Sequence, residues 1–187
     1  GWFPRLMDRT RTIHRPTYFN SASHGLESLA RGYRLDRTDG QDHQVFLGVE
    51  KNGLVEQVTN WFDDRGVPVL ALGGYSSQGY VDDVLDEIAF DGRPAVLLYA
   101  GDFDPTGMDI LRDLEQRTDG FFDVVARIAL NVDQIEQYGL PPLPGKVTDT
   151  RAAGFVAKYG ELIQVEVDAL DPNTLHDLFE DAITPYW

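Results

Sequence analysis

The chain has 187 residues, of which 42% are hydrophobic, and its size is typical of one domain. It contains no cysteine, which excludes disulfides, a thiolate nucleophile and a cysteine-based zinc site. The net charge of -15 excludes a simple basic nucleic-acid coat, so a role on nucleic acid requires bound metal, a local basic patch or a basic partner.

The first 44 residues are richer in arginine than the rest and show no clear periodicity. We expect a basic N-terminal arm or linker, which either contacts phosphate or packs on the acidic remainder through charge alone. The chain begins with Gly rather than Met, which favours a fragment with a partner domain upstream. No apolar run reaches membrane-spanning length, so we expect no membrane association.

Residues 45–130 alternate between short apolar runs and amphipathic segments. The apolar runs predict strands at 44–50, 67–72, 95–100 and 124–130. Apolar residues at helical spacing predict intervening helices at 52–65, from Ser76 or Ser77 to about residue 89, and at 108–116. Strands that are apolar throughout favour an α/β fold, a Rossmann-like parallel sheet with helices on both faces.

Residues 131–187 differ in pattern and are predicted to form an α+β extension that packs on this core. A Pro-rich loop at 138–151 precedes a short helix at 151–159. The run at 162–170 predicts a strand entering a turn, and the last periodic segment predicts a helix at 172–183.

Three carboxylates follow two of the predicted strands. Glu50 ends the first strand, and Asp102 and Asp104 come directly after the third. Ligands of such sheets bind at the carboxyl ends of strands, so we expect these side chains to converge. Two aspartates at i and i+2 of an extended segment face one side, and hard oxygen ligands suit Mg²⁺ or Mn²⁺. The sequence alone leaves open that Asp-X-Asp is an acidic turn and that Glu50 reaches water or pairs with Lys51.

Other residues around this edge are candidates for supporting roles. Lys51 and Asp109 are candidates to support the metal ligands, although Lys51 is equally well explained as an exposed side chain and Asp109 as a cap in the first turn of its helix. Candidate contacts to phosphate or DNA are Gly74, Ser76, Lys146 and Arg151. For Lys146 and Arg151 a salt-bridged loop is the alternative.

This series of elements resembles the Toprim domain of topoisomerases, primases and certain nucleases. The motifs "EKNGL" and "DFDPTGMDI" most resemble the A subunit of the type IIB topoisomerase, topoisomerase VI, and its relative, the meiotic double-strand-break protein. "RIAL", "DQIEQYGLPP" and "VEVDALDP" extend the resemblance, which covers roughly residues 45–183. The turn "GGYSS" departs from the family pattern, which puts its phosphate contact in doubt.

The resemblance implies a Mg²⁺ or Mn²⁺ site made by Glu50, Asp102 and Asp104, with the glutamate also serving as general acid/base in DNA strand cleavage. It implies DNA, a winged-helix domain with a nucleophilic tyrosine, an ATPase subunit and a second copy of the chain as partners. It also implies a cytoplasmic location, at the nucleoid in a prokaryote. Residues 1–44 are too short for the tyrosine domain, so that domain is expected upstream or on a separate chain.

Three hypotheses therefore follow from the sequence. The first is a Toprim domain that takes part in cleavage, and possible religation, within a type IIB topoisomerase-like protein. The second is a stand-alone metal-dependent nuclease. The third is a non-catalytic module that keeps the fold and binds DNA or protein.

Overall fold

The computed structural model describes residues 17–187, which form two compact units divided after Leu35. The predicted basic arm is thus described only from residue 17, and Arg5, Arg9, Arg11 and Arg15 lie outside the described residues. The first unit contains helix α1 (Ala22–Gly32), where the sequence predicted no regular element. Ser21 begins this helix because its hydroxyl accepts a hydrogen bond from the backbone N–H of His24.

A four-stranded parallel sheet forms the centre of the second unit. Its strands lie in the order β2-β1-β3-β4 and comprise β1 (Gln44–Val49), β2 (Val69–Ala71), β3 (Ala95–Ala100) and β4 (Phe122–Ala129). β1 and β3 are buried along their whole length, as expected for strands covered on both faces. The predicted α/β class, a parallel sheet flanked by helices, is confirmed and is compatible with a Rossmann-like fold.

Three helices connect the strands: α2 (Asn52–Trp61), α3 (Gln78–Asp91) and α4 (Pro105–Arg117). The remaining elements are α5 (Val132–Gln137), β5 (Leu143–Pro144), α6 (Ala152–Tyr159), β6 (Ile163–Gln164) and α7 (Pro172–Ile183). Two short 3₁₀ turns lie at Val167–Ala169 and Thr184–Tyr186. No helix within residues 17–187 is long and apolar enough to cross a membrane.

Two hydrophobic clusters cover the two faces of the sheet. Alternate residues of β1 and β3, such as Leu47 and Leu98, pack with α2, α6 and α7 in one cluster. The intervening residues, such as Phe46 and Leu97, pack with α3 and α4 in the other. Successive side chains of a strand point to opposite faces, so this double burial explains why the strands are apolar without alternation.

The strand entering a turn that was predicted at 162–170 is present, but the strand is much shorter than expected. Only Ile163–Gln164 pairs with another strand, β5, and Val165 forms a single bridge with Phe103. The chain then turns into the 3₁₀ segment because the N–H of Val167 is bonded to the Asp102 side chain rather than to a strand. The short helix α5 was not predicted from sequence.

Candidate metal centre at the carboxyl edge of the sheet

The register of β1 and β3 brings Glu50 and Asp102 to one edge of the sheet. Val49 lies opposite Ala100 in the parallel pair, and the N–H of Glu50 donates to the carbonyl of Ala100 over 3.1 Å. The two strands end together because they are neighbours of equal length, so the residues that follow them share the edge. The predicted juxtaposition therefore depends on strand order, which the sequence does not state.

The carboxylate of Glu50 is held against the backbone of the neighbouring strand end. Its Oε2 accepts hydrogen bonds from the N–H of Asp102 at 2.8 Å and from the hydroxyl of Tyr99 at 3.3 Å. Burial raises the pKa of Glu50, and the negative charge of Asp102 raises it further. Glu50 does not pair with Lys51, which was the alternative left open by the sequence.

Asp102 joins the edge of the sheet to the C-terminal part of the chain. Its Oδ1 accepts a hydrogen bond of 2.7 Å from the N–H of Val167 and lies 3.9 Å from Nζ of Lys51. Burial raises the pKa of Asp102, although the bond from Val167 and the charge of Lys51 act in the opposite direction.

Asp104 begins helix α4. Its Oδ1 accepts a 2.7 Å hydrogen bond from the N–H of Gly107, and Pro105 follows at the first helical position. The helix thus starts three residues earlier than predicted, and Asp109 lies in its second turn rather than its first. Between the two aspartates, Phe103 is only 1% exposed and packs edge-on against Phe155 and Tyr159.

Gly107 allows the start of α4 to approach the loop after β3 and the carboxylate of Glu50. A Cβ at this position would lie 2.4 Å from the carbonyl oxygen of Asp102 and 2.9 Å from Oε2 of Glu50. Any side chain here would therefore displace the loop or the Glu50 carboxylate. The glycine of the Asp-X-Asp-Pro-X-Gly motif is required by this close contact.

Lys51 places a positive charge beside the carboxylates of the site. Its Nζ donates to Glu166 at 2.6 Å and to Asp168 at 3.0 Å, in addition to its proximity to Asp102. The lysine therefore partly neutralises three acidic side chains that come from two separate segments, the loop after β3 and the C-terminal extension. The sequence predicted Lys51 as a supporting residue but gave no indication of its partners in the C-terminal extension.

Arg127 is a residue of this site that sequence reasoning missed. From β4 its guanidinium donates to the carbonyls of Gly101 at 2.8 Å, Asp102 at 2.5 Å and Leu130 at 2.9 Å, and it lies over the Tyr99 ring. Burial lowers the pKa of Arg127, while the nearby Glu50 and Asp102 oppose that change. An arginine inside the otherwise apolar run 124–130 was the signal that could have identified it.

The other predicted residues surround this centre without forming one group. Arg151 and Asp109 are ion-paired at 3.2 Å, and both bind the hydroxyl of Tyr75, so the salt-bridged alternative describes Arg151. The strong hydrogen bonds of Asp109, first of all from Arg112, lower its pKa to about 2.

The positions predicted to contact phosphate are less constrained. Gly74 is exposed and has a positive φ of 78°, and the carbonyl of Ser76 accepts a hydrogen bond from Arg117. Ser77, and not Ser76, caps α3. Lys146 is exposed in the Pro-rich loop.

The carboxylate oxygens of the site are the type of ligand that a hard divalent cation such as Mg²⁺ prefers. Each of Glu50, Asp102 and Asp104 uses one oxygen in the backbone hydrogen bonds described above, which leaves the second oxygen of each for a ligand. Burial raises the pKa values of Glu50 and Asp102, so a cation bound beside them would stabilise their charged forms. Within residues 17–187, however, no three acidic or histidine side chains already surround one point as metal ligands. Binding therefore requires these side chains to adjust.

Comparisons with known proteins do not identify a family. No protein-family model matches the chain, and no curated protein is significantly similar to it.

Proposed function

We propose that the chain is a Toprim-like domain that binds Mg²⁺ or Mn²⁺ and takes part in DNA strand cleavage within a type IIB topoisomerase-like protein. The observation that supports this most is that Glu50 and Asp102 directly follow two adjacent parallel strands, with Asp104 two residues further on and Gly107 packed against Glu50 and the backbone of Asp102. The close packing at this edge of the sheet explains why the motif has a glycine three residues after its second aspartate.

The residues of the site have distinct roles in this proposal. Glu50, Asp102 and Asp104 hold the metal, which stabilises charge on the scissile phosphate when it is bound. Glu50 is also suited to proton transfer, because a raised pKa brings a carboxyl group closer to neutral pH. Arg127 fixes the backbone that carries Asp102, and Lys51 supplies positive charge beside the phosphate or the metal.

The attacking group comes from elsewhere in this proposal. Tyr99, which contacts Glu50, is fully buried, and burial raises its pKa, so it is unsuited to act as a nucleophile. In line with the resemblance to the type IIB A subunit, the nucleophile in this proposal is a tyrosine on a winged-helix domain, with an ATPase subunit and a second copy of the chain completing a cytoplasmic assembly. If water attacks instead, the chain is a hydrolytic nuclease.

Metal binding by calorimetry tests the proposal first. The double variant Asp102→Asn with Asp104→Asn removes two charges but keeps an oxygen to accept from Val167 and Gly107, so the fold is retained. We expect wild type to bind Mg²⁺ or Mn²⁺ and the double variant to bind at least tenfold more weakly. Asp109→Asn, one turn along α4, is the matched control and should bind like wild type.

Nicking of supercoiled plasmid with the same variants then tests the activity. Metal-dependent nicking that Asp102→Asn with Asp104→Asn abolishes supports the proposal, and a covalent protein–DNA adduct separates the tyrosine route from hydrolysis. Absence of metal binding by wild type at millimolar concentration, with DNA present, would contradict it and favour the non-catalytic binding module.

A further inference from the structure

A cleft between α4 and α6 lies beside the carboxylate edge and has a volume of about 420 Å³. This volume falls within the range of small-molecule sites, roughly 300–1,000 Å³. Pro105, directly after Asp104, begins one wall, and Gly154 of α6 lies in the other. All of the lining residues belong to the second compact unit.

The rim of the cleft is positive in a strongly acidic protein. Three of its lining residues are cations, Arg112, Arg151 and Lys158, and one is an anion, Asp109. Asp109 is shared by both arginines, through Oδ1 to Arg112 at 2.6 Å and through Oδ2 to Arg151 at 3.2 Å. Asp149, behind Arg151, pairs with it at 2.8 Å, so one positive charge remains in excess in a chain of net charge -15.

The floor of the cleft is apolar and partly aromatic. Met108, Phe155 and Tyr159 line it. Phe155 is buried, so the half-buried Tyr159, whose ring centroid lies 5.0 Å from Nζ of Lys158, is the ring that a base can reach. A positive rim over aromatic side chains is the arrangement by which proteins hold single-stranded nucleic acid, because the rim binds phosphate and the rings stack on bases. A duplex backbone alone has no need of an aromatic floor.

We infer that this cleft binds a single-stranded segment of nucleic acid, with one nucleotide seated in the cavity and its phosphates on Arg112 and Lys158. The inference deepens the proposed role on DNA and rests on it for the biological substrate. It places an unpaired nucleotide next to Asp104, so the strand that passes the carboxylates is opened rather than held as a regular duplex.

Gly154 allows this inference to be tested without removing any charge. A Cβ at this helical position meets no atom within 4 Å, so Gly154→Ala is tolerated, whereas the side chain of Gly154→Leu fills the cleft. A second pair of variants tests the charges. Arg112→Ala with Lys158→Ala removes two of the three rim cations, and Arg112→Lys with Lys158→Arg keeps the charge.

The experiment measures the fluorescence anisotropy of a labelled twelve-nucleotide thymidine oligomer with the full chain in EDTA. We expect Gly154→Leu and Arg112→Ala with Lys158→Ala to weaken binding at least tenfold. Gly154→Ala and Arg112→Lys with Lys158→Arg should bind like wild type. Loss of two phosphate contacts should also lower the slope of log affinity against log salt by about 1.4. The variant Thr59→Asp with Asn60→Asp, at exposed positions of α2, gives the same change in net charge and should retain the wild-type affinity.

The cleft assignment and the proposed metal-dependent cleavage can fail independently of each other. Equal affinity of wild type and Gly154→Leu, tighter binding of a blunt duplex than of the oligomer, or no binding in EDTA would overturn the cleft assignment, whatever the nicking assay shows. Oligomer binding that Gly154→Leu abolishes would uphold it even if the chain neither binds metal nor nicks DNA.

Discussion

At the residue scale, the carboxylates of the site also serve the fold. Asp104 caps α4, Asp102 anchors the N–H of Val167, and Glu50 accepts from the backbone of Asp102. A functional reading and a structural one therefore predict the same residues. The two roles differ in whether they require a negative charge. Helix caps and anchors need only an oxygen acceptor, whereas a metal ion favours a charged carboxylate.

Gly107→Ala tests the close approach at the centre of the site. The added Cβ would lie 2.4 Å from a backbone oxygen, which cannot move aside as a side chain can. We expect a loss of about 1–3 kcal/mol in the free energy of unfolding, measured by urea denaturation. Gly154→Ala, where the Cβ meets no atom within 4 Å, is the matched control and should be neutral or stabilising by up to about 1 kcal/mol. Equal stability of Gly107→Ala and wild type would show that the loop adjusts without cost.

At the scale of elements, one side chain of the fourth strand holds the loop that follows the third. Arg127 of β4 binds carbonyls of the loop after β3, and its neighbours in the sheet are otherwise apolar. The loop that carries Asp102 is thereby tied to the sheet on one side and to Val167 on the other. The buried guanidinium therefore has a structural role, because it holds the loop after β3 in place through hydrogen bonds to its carbonyls.

Replacement of this arginine should destabilise the protein strongly. Arg127→Met leaves the carbonyls of Asp102 and Leu130 without the guanidinium donor, and each buried unsatisfied group costs about 1–3 kcal/mol. We expect a total loss of roughly 2–4 kcal/mol by urea denaturation and weaker Mg²⁺ binding. Arg112→Met removes an exposed ion pair of α4 and should change stability by less than about 1 kcal/mol. A similar small effect for both variants would contradict the structural role of Arg127.

The strands were predictable because double burial makes them apolar throughout. β3 matches its predicted bounds, and β1 ends one residue before Glu50. The start of α4 was misplaced because Asp104 was considered as a ligand and not as a cap. The point at which the strand at 162–170 gives way to a turn could not be predicted, because the hydrogen bonds there go to Phe103 and Asp102, which are distant in sequence. The partners of Lys51, Glu166 and Asp168, were not predicted for the same reason, because they too are distant in sequence.

At the scale of the whole molecule, acidity has two opposite effects on stability. The pKa values of Asp91, Asp109 and Asp149 are lowered, mainly by hydrogen bonds from arginine side chains and backbone, so these groups stabilise the fold once they are ionised. The pKa values of Glu50 and Asp102 are raised, chiefly by burial, so these two groups destabilise it when ionised. The destabilising effect of Glu50 and Asp102 is present wherever the pH lies above their folded-state pKa values.

Stability without metal should therefore increase as the pH falls from 7 to about 5. A raised pKa in the folded state means that stability from Glu50 and Asp102 is complete at low pH and is lost as the pH rises through their folded values. We expect the urea midpoint in EDTA to be higher at pH 5 than at pH 7. The matched variant Glu50→Gln with Asp102→Asn should show a smaller dependence and be more stable than wild type at pH 7. A variant with the same pH profile as wild type would show that general charge repulsion is the cause.

The hydrogen bond between Val167 and Asp102 spans 65 positions of sequence and has a consequence for protein engineering. A designer who grafts the loop from Gly101 to Gly107 onto another parallel sheet would transfer the aspartates without the backbone group that orients the first of them. The smallest transferable unit includes the 3₁₀ segment Val167–Ala169 and the guanidinium of β4 as well. Insertions in the intervening Pro-rich loop are expected to be better tolerated than changes of length next to Asp102 or Val167, the two ends of this hydrogen bond.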